Sequence, residues 1–278
     1  MSSSKRRRTC SRRRLMQRLN HRVEGAGPTL LLIHGMGSAS TAWKIISPEL
    51  AKKFTVVTVD LPGHGDTPYV LNQPMDPHSL ALAVLNEMTE LGFTKFDLCG
   101  NSLGGWISLE MACISPERIK SITALAPAGL WLNPYNVRYP ATALARFLAR
   151  YTAKLAPTAL HFEWARALGF SDVSPRWRDF SYELCLDATL TMAKADGYYP
   201  AWDGMLMKRF DGKIPEGIPV TIIFGDTDRT LPETTCQERS IAPAHAKWII
   251  FPETGHAPMW DSPTDVISAI FATTGVNQ

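Results

Sequence analysis

A serine flanked by glycines is the strongest chemical signal in the sequence. Ser102 lies in the segment GNSLGG at residues 100–105, between an apolar run, FDLC, and a helical run, WISLEMA. If the chain turns sharply from strand to helix here, side chains at positions 100 and 104 would collide with neighbouring elements. Such a turn lifts the serine hydroxyl into a cleft, at a helix N-terminus whose amides favour negative charge. The pattern therefore predicts Ser102 as a nucleophile.

A serine hydroxyl needs a base to remove its proton, and histidine suits this role at neutral pH. Of the seven histidines, His256 alone follows a glycine in a loop between a late strand and the last helix. We therefore predict His256 as the general base, acting later as the acid. His34 and His64 flank glycines in early loops. We interpret both as polar residues that shape the rim of the cleft, with His34 as a candidate substrate contact.

A carboxylate must orient this histidine and stabilise its protonated form. No Asp or Glu occurs between Ser121 and Phe162, so the loop after the predicted strand SITALAP offers no candidate. The loop after the next predicted strand, VTIIFG, contains Asp226 and Asp228. We predict Asp228 as the orienting acid because it lies deeper in the loop and can reach further. Asp226 is expected to brace the turn, and the reverse assignment stays open.

Attack by a serine places negative charge on a substrate oxygen, which backbone N–H groups can stabilise in an oxyanion hole. The amide of Leu103, next to the candidate nucleophile, is one expected donor. The loop HGMG at residues 34–37 follows the first strong strand and supplies a second donor, for which position favours Met36. The alternative is that these glycines only turn the chain.

Short apolar runs alternate with helical segments along most of the chain. The predicted strands are TLLLI, TVVTV, FDLC, SITALAP, VTIIFG and KWIIFP, and helices are predicted near residues 39–52, 78–91, 232–239 and 264–273. Strands separated by helices indicate a mostly parallel sheet with helices on both faces. We therefore predict one α/β core formed by residues 19–129 and 214–278.

A long stretch of the chain, residues 130–213, carries no strand pattern. It contains four of the eight tryptophans and helical runs such as ATALARFLARYTAKL. Because it is too long for an ordinary connection, we predict a helical cap over the carboxyl edge of the sheet. Its Trp131, Trp164 and Trp202 are candidate substrate contacts. The alternative interpretation is that residues 130–213 are an insertion with a purely structural role.

Basic residues on one predicted cap helix form a regular stripe. Arg146, Arg150 and Lys154 recur every four residues. Such a stripe permits contact with anionic lipid headgroups, but it is also typical of a helix face exposed to water.

Composition and charge exclude several classes of protein. With 45% hydrophobic and 20% charged residues, the chain is ordinary for a globular protein, and no apolar run reaches the roughly 18 residues of a membrane span. Nine basic residues and no acid occur in the first 22 residues, which leaves an acidic body without a groove for nucleic acid. We interpret residues 1–18 as a disordered leader. A transit peptide, a nucleic-acid-binding tail or a true start at Met16 are alternatives.

The cysteines and the motif content of the chain predict its compartment, its cofactors and its partners. The five cysteines are scattered, which fits a reducing compartment, and we expect a cytoplasmic protein. No metal-binding motif is present, so we predict neither metal nor cofactor. The expected partner is a small-molecule substrate, with no integral membrane association, and the expected state is a monomer or homodimer.

Four motifs, in this order, resemble those of the α/β-hydrolase superfamily between Asn20 and Val276. They are HGMG for the oxyanion loop, GNSLGG for the nucleophile elbow, GDTD for the acid turn and GHAPMWDSP for the histidine loop. The order Ser, Asp, His is also found in that family. The resemblance implies a mostly parallel eight-stranded sheet with a helical cap after the sixth strand. A shortened sheet is expected, because only residues 19–22 are available for the strands that normally precede TLLLI.

The resemblance implies hydrolysis but leaves the bond open, because this fold cleaves esters, thioesters, lactones, amides and carbon–carbon bonds. The Trp, Tyr and Met residues of the predicted cap favour a carboxylesterase with a largely apolar substrate. GNSLGG is also similar to the elbow of meta-cleavage-product hydrolases, although Ala257 follows His256 where those enzymes commonly have Trp. A carbon–carbon bond hydrolase or a lactonase is therefore the alternative.

Two alternative functions from other classes of protein stay open. A protein with this fold that binds a small ligand without turnover is one of them. The other is an oxidoreductase that binds a dinucleotide at Gly35 and Gly37, with Asp60 as the acidic residue at the end of the next strand. Against it, Ser40 stands where the third glycine of that fingerprint would be.

Overall fold

A computed structural model of the chain describes residues 17–277. The predicted leader, residues 1–18, lies outside the described residues except for Gln17 and Arg18, and Cys10 lies outside them as well. Within the described range, none of the helices is both long enough and apolar enough to cross a lipid bilayer.

Seven strands form a single sheet in the part of the chain that the structure describes. They are β1 (His21–Glu24), β2 (Thr29–Ile33), β3 (Thr55–Val59), β4 (Phe96–Asn101), β5 (Ile119–Leu125), β6 (Val220–Gly225) and β7 (Lys247–Phe251). Their order across the sheet is β1-β3-β2-β4-β5-β6-β7, and only the edge pair of β1 and β3 is antiparallel. This confirms the predicted α/β fold with a mostly parallel sheet. The sheet has one strand fewer than eight within the described residues, in line with the expected shortening.

The central strands are apolar throughout because both faces of the sheet are covered by helices. Alternate side chains of a strand point to opposite faces. Leu31 and Ile33 accordingly belong to one buried cluster, which includes Leu103 at the start of the helix after β4. Leu30 belongs to a second buried cluster, together with Trp43. The two clusters fix the sheet between its helical layers.

Eleven α-helices occur in the described part of the chain. They are α1 (Ser47–Leu50), α2 (Pro77–Glu90), α3 (Leu103–Ile114), α4 (Pro140–Thr152), α5 (Ala156–Ala159), α6 (Glu163–Phe170), α7 (Tyr182–Lys194), α8 (Tyr198–Met205), α9 (Glu233–Cys236), α10 (Pro258–Asp261) and α11 (Pro263–Thr274). Short 3₁₀ helices span Ser40–Trp43, Pro116–Arg118 and Trp177–Asp179.

Two of the four predicted helices match the structure closely, and two are longer in the prediction. The helices predicted at 78–91 and 264–273 correspond to α2 and α11. The helix predicted at 39–52 is divided into a 3₁₀ turn and α1, which begins with Pro48 in its first turn. Proline lacks an N–H group and restricts the residue before it, so it starts a new helix here. The helix predicted at 232–239 is only the four-residue α9.

The chain between β5 and β6 leaves the sheet and returns to the neighbouring position. β5 pairs directly with β6 in parallel, so the intervening segment begins at the carboxyl edge of the sheet. It contains α4 to α8 and one 3₁₀ turn, and no strand among its described residues. Residues 130–213, the predicted cap, make up most of this segment.

Candidate active site

Ser102 lies on a sharp turn between β4 and α3. Its backbone has φ 54° and ψ −116°, a conformation that non-glycine residues rarely adopt and that costs about 1–3 kcal/mol. Two backbone hydrogen bonds hold the turn, since Ser102 N donates to Leu125 O at 2.9 Å and Ala128 N donates to Ser102 O at 3.0 Å. The strained conformation is therefore imposed by the end of the neighbouring strand.

Glycine is required on both sides of this turn. A Cβ atom on Gly100 would lie 2.2 Å from the carbonyl oxygen of Gly104, and one on Gly104 would lie 2.1 Å from the carbonyl oxygen of Ile33. Both contacts involve backbone atoms, which cannot move aside as a flexible side chain would. The collisions predicted from the sequence at these two positions are thus confirmed.

Three side chains from distant parts of the chain form one hydrogen-bonded row. Ser102 Oγ lies 3.0 Å from His256 Nε2, and His256 Nδ1 lies 2.9 Å from Asp228 Oδ2. The Asp228 side chain is fully buried, and that of His256 is 12% exposed. A buried carboxylate accepts hydrogen bonds, so Nδ1 carries the proton and Nε2 presents its lone pair to the serine hydroxyl.

The loop after β6 holds the carboxylate of Asp228 in place. Its second oxygen, Oδ1, accepts hydrogen bonds from the amides of Thr230 at 2.9 Å and Leu231 at 2.8 Å. These two bonds leave Oδ2 for His256. Asp226 is exposed, and its carboxylate accepts a hydrogen bond from Thr254 N at 3.3 Å. Asp226 thus contacts the backbone of the histidine loop, whereas Asp228 contacts the imidazole.

A second buried carboxylate, that of Asp261, holds the histidine loop in place, and it was not predicted from the sequence. Asp261 Oδ2 accepts a hydrogen bond from Gly255 N at 2.7 Å, and Ser174 Oγ donates to Asp261 Oδ1. His256 N also donates to Val173 O at 2.7 Å. Burial raises the pKa of the Asp261 carboxyl above its ordinary value. The only sequence signal was an acid within the otherwise apolar run PMWD, close after the histidine.

The Ser102 hydroxyl opens into a mostly apolar cavity. The cavity contains about 440 Å³ of empty space, including its mouth toward solvent. It is lined by Met36, Ser102, Leu103, Ala128, Trp131, Tyr135, Tyr139, Trp202, Met205, Thr230 and Leu231. Two of the three predicted tryptophan contacts, Trp131 and Trp202, are among these residues. The lining residues Tyr135, Tyr139 and Met205 were not predicted from the sequence. Tyr135 and Tyr139 precede α4 in a stretch without regular periodicity, and periodicity does not tell which side of α8, with Met205, faces a cleft.

Edge-to-face aromatic contacts build one wall of this cavity. The ring of Trp131 lies 5.2 Å from those of Trp106 and Tyr135, and Tyr135 lies 5.7 Å from Trp202. The Tyr135 hydroxyl lies 3.3 Å from Cys236 Sγ, and burial raises the pKa of this hydroxyl. Interlocked rings of this kind resist rotation, so the wall has a defined shape.

Both predicted oxyanion donors lie beside the serine. Met36 and Leu103 line the cavity together with Ser102. Leu103 is the first residue of α3, so its amide has no carbonyl acceptor within the helix. The HGMG loop approaches closely, because a Cβ atom on Gly35 would lie 3.1 Å from the Cβ of Ser102.

Two predicted substrate contacts lie away from the cavity. His34 is completely buried, where Leu61 N donates to its Nε2 at 3.0 Å and its Nδ1 lies 2.7 Å from Gly35 O. Both ring nitrogens are therefore engaged with backbone, and burial lowers the pKa of this imidazole. Trp164 is 65% exposed on α6. In contrast to the expectation, His34 supports the HGMG loop and Trp164 faces solvent.

Cys99 lies one residue before the elbow, is completely buried and has its thiol pKa raised by burial, so it is poorly suited to act as a thiolate. Among residues 17–277, no group of three or more His, Cys, Asp or Glu side chains is placed to hold a metal ion.

The parallel sheet, the strained serine turn and the adjacent histidine define an α/β hydrolase, and the protein is a hydrolase enzyme. A family model described as "Alpha/beta hydrolase family" matches residues 30–269. The chain therefore belongs to the alpha/beta hydrolase family.

Similar proteins span almost the whole chain. An uncharacterized protein of Mycobacterium tuberculosis is 27% identical over 267 residues, which cover 90% of this chain and 76% of that protein. A pimeloyl-[acyl-carrier protein] methyl ester esterase of Nitrosomonas europaea is 23% identical over 265 residues, covering 92% of this chain and 100% of the relative. Among solved structures, a thermophilic esterase from Thermogutta terrifontis superposes with a TM-score of 0.70 at 20% identity, covering 91% of this chain and 92% of the esterase. At this identity the structural likeness shows the fold alone.

Proposed function

We propose that the protein is a serine esterase that cleaves a carboxylic ester of a largely apolar small molecule through an acyl-enzyme. The observation that carries this proposal is the row from Ser102 through His256 to Asp228, with the serine hydroxyl opening into an apolar cavity. In this reading Ser102 is the nucleophile, His256 the base and then the acid, and Asp228 the orienting carboxylate.

The first half of the reaction forms the acyl-enzyme. His256 Nε2 removes the proton from Ser102 Oγ as this oxygen attacks the ester carbonyl carbon. The negative charge that develops on the carbonyl oxygen is stabilised by the amides of Met36 and Leu103, each worth about 3 kcal/mol in comparable sites. His256 then donates the proton to the leaving alcohol oxygen, the carbon–oxygen bond breaks, and the acyl group stays on Ser102.

The second half releases the acid. A water molecule takes the place of the alcohol, and His256 removes one of its protons as the water oxygen attacks the acyl carbon. When the second tetrahedral species collapses, the proton returns from His256 to Ser102 Oγ. The carboxylic acid leaves, and the Asp228 carboxylate remains ionised throughout because it only stabilises the imidazolium.

The lining of the cavity supports an apolar acyl or alcohol group. Trp131, Tyr135, Trp202 and Met205 come from the stretch 130–213, so we propose that this stretch acts as a cap over the nucleophile. The relative from Nitrosomonas europaea is named as an esterase that acts on a methyl ester, which favours ester cleavage over the carbon–carbon and lactone alternatives.

A substrate screen tests this proposal. The protein is assayed with p-nitrophenyl esters of graded acyl length, with a vinylogous dienoate and with lactones, and Ser102→Ala serves as the matched control. We expect hydrolysis of the p-nitrophenyl esters that Ser102→Ala abolishes. Turnover of the dienoate or a lactone alone would replace the esterase by one of the alternatives, and no turnover of any substrate would favour a binding protein.

A further inference from the structure

Helix α4 carries its apolar side on the outside of the molecule. Leu144, Phe147 and Tyr151 recur at spacings of three and four residues, which places them on one face of the helix. Their exposed fractions are 56%, 52% and 74%, and the rings of Phe147 and Tyr151 lie 4.6 Å apart. Leu155, in the turn between α4 and α5, is 64% exposed. We refer to these four residues as the apolar face of α4.

The opposite side of α4 carries a buried arginine. Arg146 is only 4% exposed, and its guanidinium donates from Nε and Nη2 to Ala195 O at 3.2 and 3.1 Å. The stripe of basic residues seen in the sequence is therefore turned inward at Arg146. A surface helix of a globular protein normally directs its apolar stripe toward the core. Helix α4 does the reverse, so its orientation leaves the apolar face without cover.

Exposed apolar side chains are concentrated around this helix. Of the seventeen large apolar side chains that are exposed in the described range, ten lie between residues 132 and 168. Trp164 and Leu168 on α6 are 65% and 72% exposed. Isolated exposed apolar residues are common, but a concentration of this kind marks an interaction surface.

The charge of this segment indicates what covers the face. Residues 132–168 contain five basic residues and one carboxylate, whereas the chain after residue 22 has 20 basic and 26 acidic residues. Arg150 lies near the apolar face, but its Nη1 donates to Asp196 Oδ1 at 3.0 Å, whereas Lys154 is exposed close to the same face. Two copies that met through this face would bring these positive charges together, which is unfavourable. An anionic surface would attract them.

We propose that the apolar face of α4 docks on an anionic lipid surface, with its aromatic and aliphatic side chains at the level of the headgroups and Lys154 against the phosphates. Helices with one apolar, aromatic face and flanking basic residues bind in this way, lying in the plane of the interface. Because Tyr135 and Tyr139 of residues 132–168 line the cavity, docking brings the cavity close to apolar molecules dissolved in the lipid.

Co-sedimentation of the full chain with vesicles tests this proposal. The probes are vesicles of phosphatidylcholine alone and vesicles in which part of this lipid is replaced by phosphatidylglycerol. We expect binding to the anionic vesicles that weakens as salt is added. The variant L144S/F147S/Y151S should bind them at least roughly tenfold more weakly, because the side chains that insert are lost. Lys154→Glu should weaken binding roughly fivefold or more.

A matched variant controls for surface polarity. V70S/L71S/L82S also removes three exposed apolar side chains, outside residues 132–168, and it should bind like the unsubstituted protein. Equal binding by L144S/F147S/Y151S would show that another segment, such as the basic first 22 residues, holds the lipid, and would overturn the proposal. A concentration-dependent dimer that this variant abolishes, without vesicle binding, would make a second copy the occupant instead.

The vesicle-binding experiment tests the docking proposal independently of the esterase proposal. Hydrolysis of a soluble p-nitrophenyl ester should be unchanged in L144S/F147S/Y151S, which also shows that the variant is folded. Loss of vesicle binding with retained hydrolysis supports docking by α4. A lack of hydrolysis in every variant would instead count against the esterase proposal and the role of Ser102, and not against docking.

Discussion

Replacing Asp228 by asparagine should reverse the hydrogen-bond direction along the row of three side chains. Asp228 Oδ1 accepts from two amides, Thr230 N and Leu231 N, at 2.9 and 2.8 Å. In Asp228→Asn the amide oxygen must stay at these two donors, so the NH₂ group faces His256. The imidazole then has to accept at Nδ1 and carry its proton on Nε2, where it cannot remove the proton of Ser102.

The expected loss is about 10⁴-fold in kcat, the size found when a triad aspartate is replaced in this way. The control Asp226→Asn should change kcat less than about threefold, because Asp226 is exposed and contacts only Thr254 N, at 3.3 Å. Initial rates with a soluble p-nitrophenyl ester measure both variants. Equal losses in the two, or a larger loss in Asp226→Asn, would refute the assignment of Asp228.

Two further predictions concern the protonation of His64 and the support of the histidine loop. Burial lowers the pKa of His64 from 6.5 to about 3, so the unfolded chain binds the extra proton between these values and stability falls on acidification. His64 should therefore lower the free energy of unfolding by about 2 kcal/mol between pH 7 and pH 5. Urea unfolding at the two pH values should show a correspondingly smaller loss for His64→Asn. The same pH dependence in the variant and the unsubstituted protein would contradict this prediction. Ser174→Ala removes the hydroxyl that donates to the buried Asp261 carboxylate and should lower the free energy of unfolding by about 2 kcal/mol. The control Ser174→Thr keeps a hydroxyl and should lose less. Equal losses in the two variants would argue against the hydrogen bond.

The features that sequence predicted best depend on local geometry. The glycines at 100 and 104 are forced by a turn a few residues long, and the alternation of apolar strands with helices needs only neighbouring residues. Asp228 was predicted by elimination, because the loop after SITALAP contains no acid and the loop after VTIIFG contains two. Each of these inferences uses a short segment and the rule that parallel strands end at one edge.

The features that sequence did not predict depend on contacts between distant segments. The hydrogen bond between Ser174 and Asp261 joins residues 87 positions apart, and no periodicity connects them. The outward position of Trp164 follows from how α6 packs against α7. Likewise, the burial of Arg146 reverses the usual rule that charged residues face water, because its guanidinium finds a backbone carbonyl as partner.

The most direct test of the esterase proposal is covalent labelling with a fluorophosphonate probe, followed by mass spectrometry of the labelled peptide. The probe reacts with a serine that a neighbouring base activates. We predict that it labels Ser102 in the unsubstituted protein, and that Ser102→Ala and His256→Ala are not labelled. An unlabelled unsubstituted protein, or a label that persists in Ser102→Ala, would contradict Ser102 as the nucleophile.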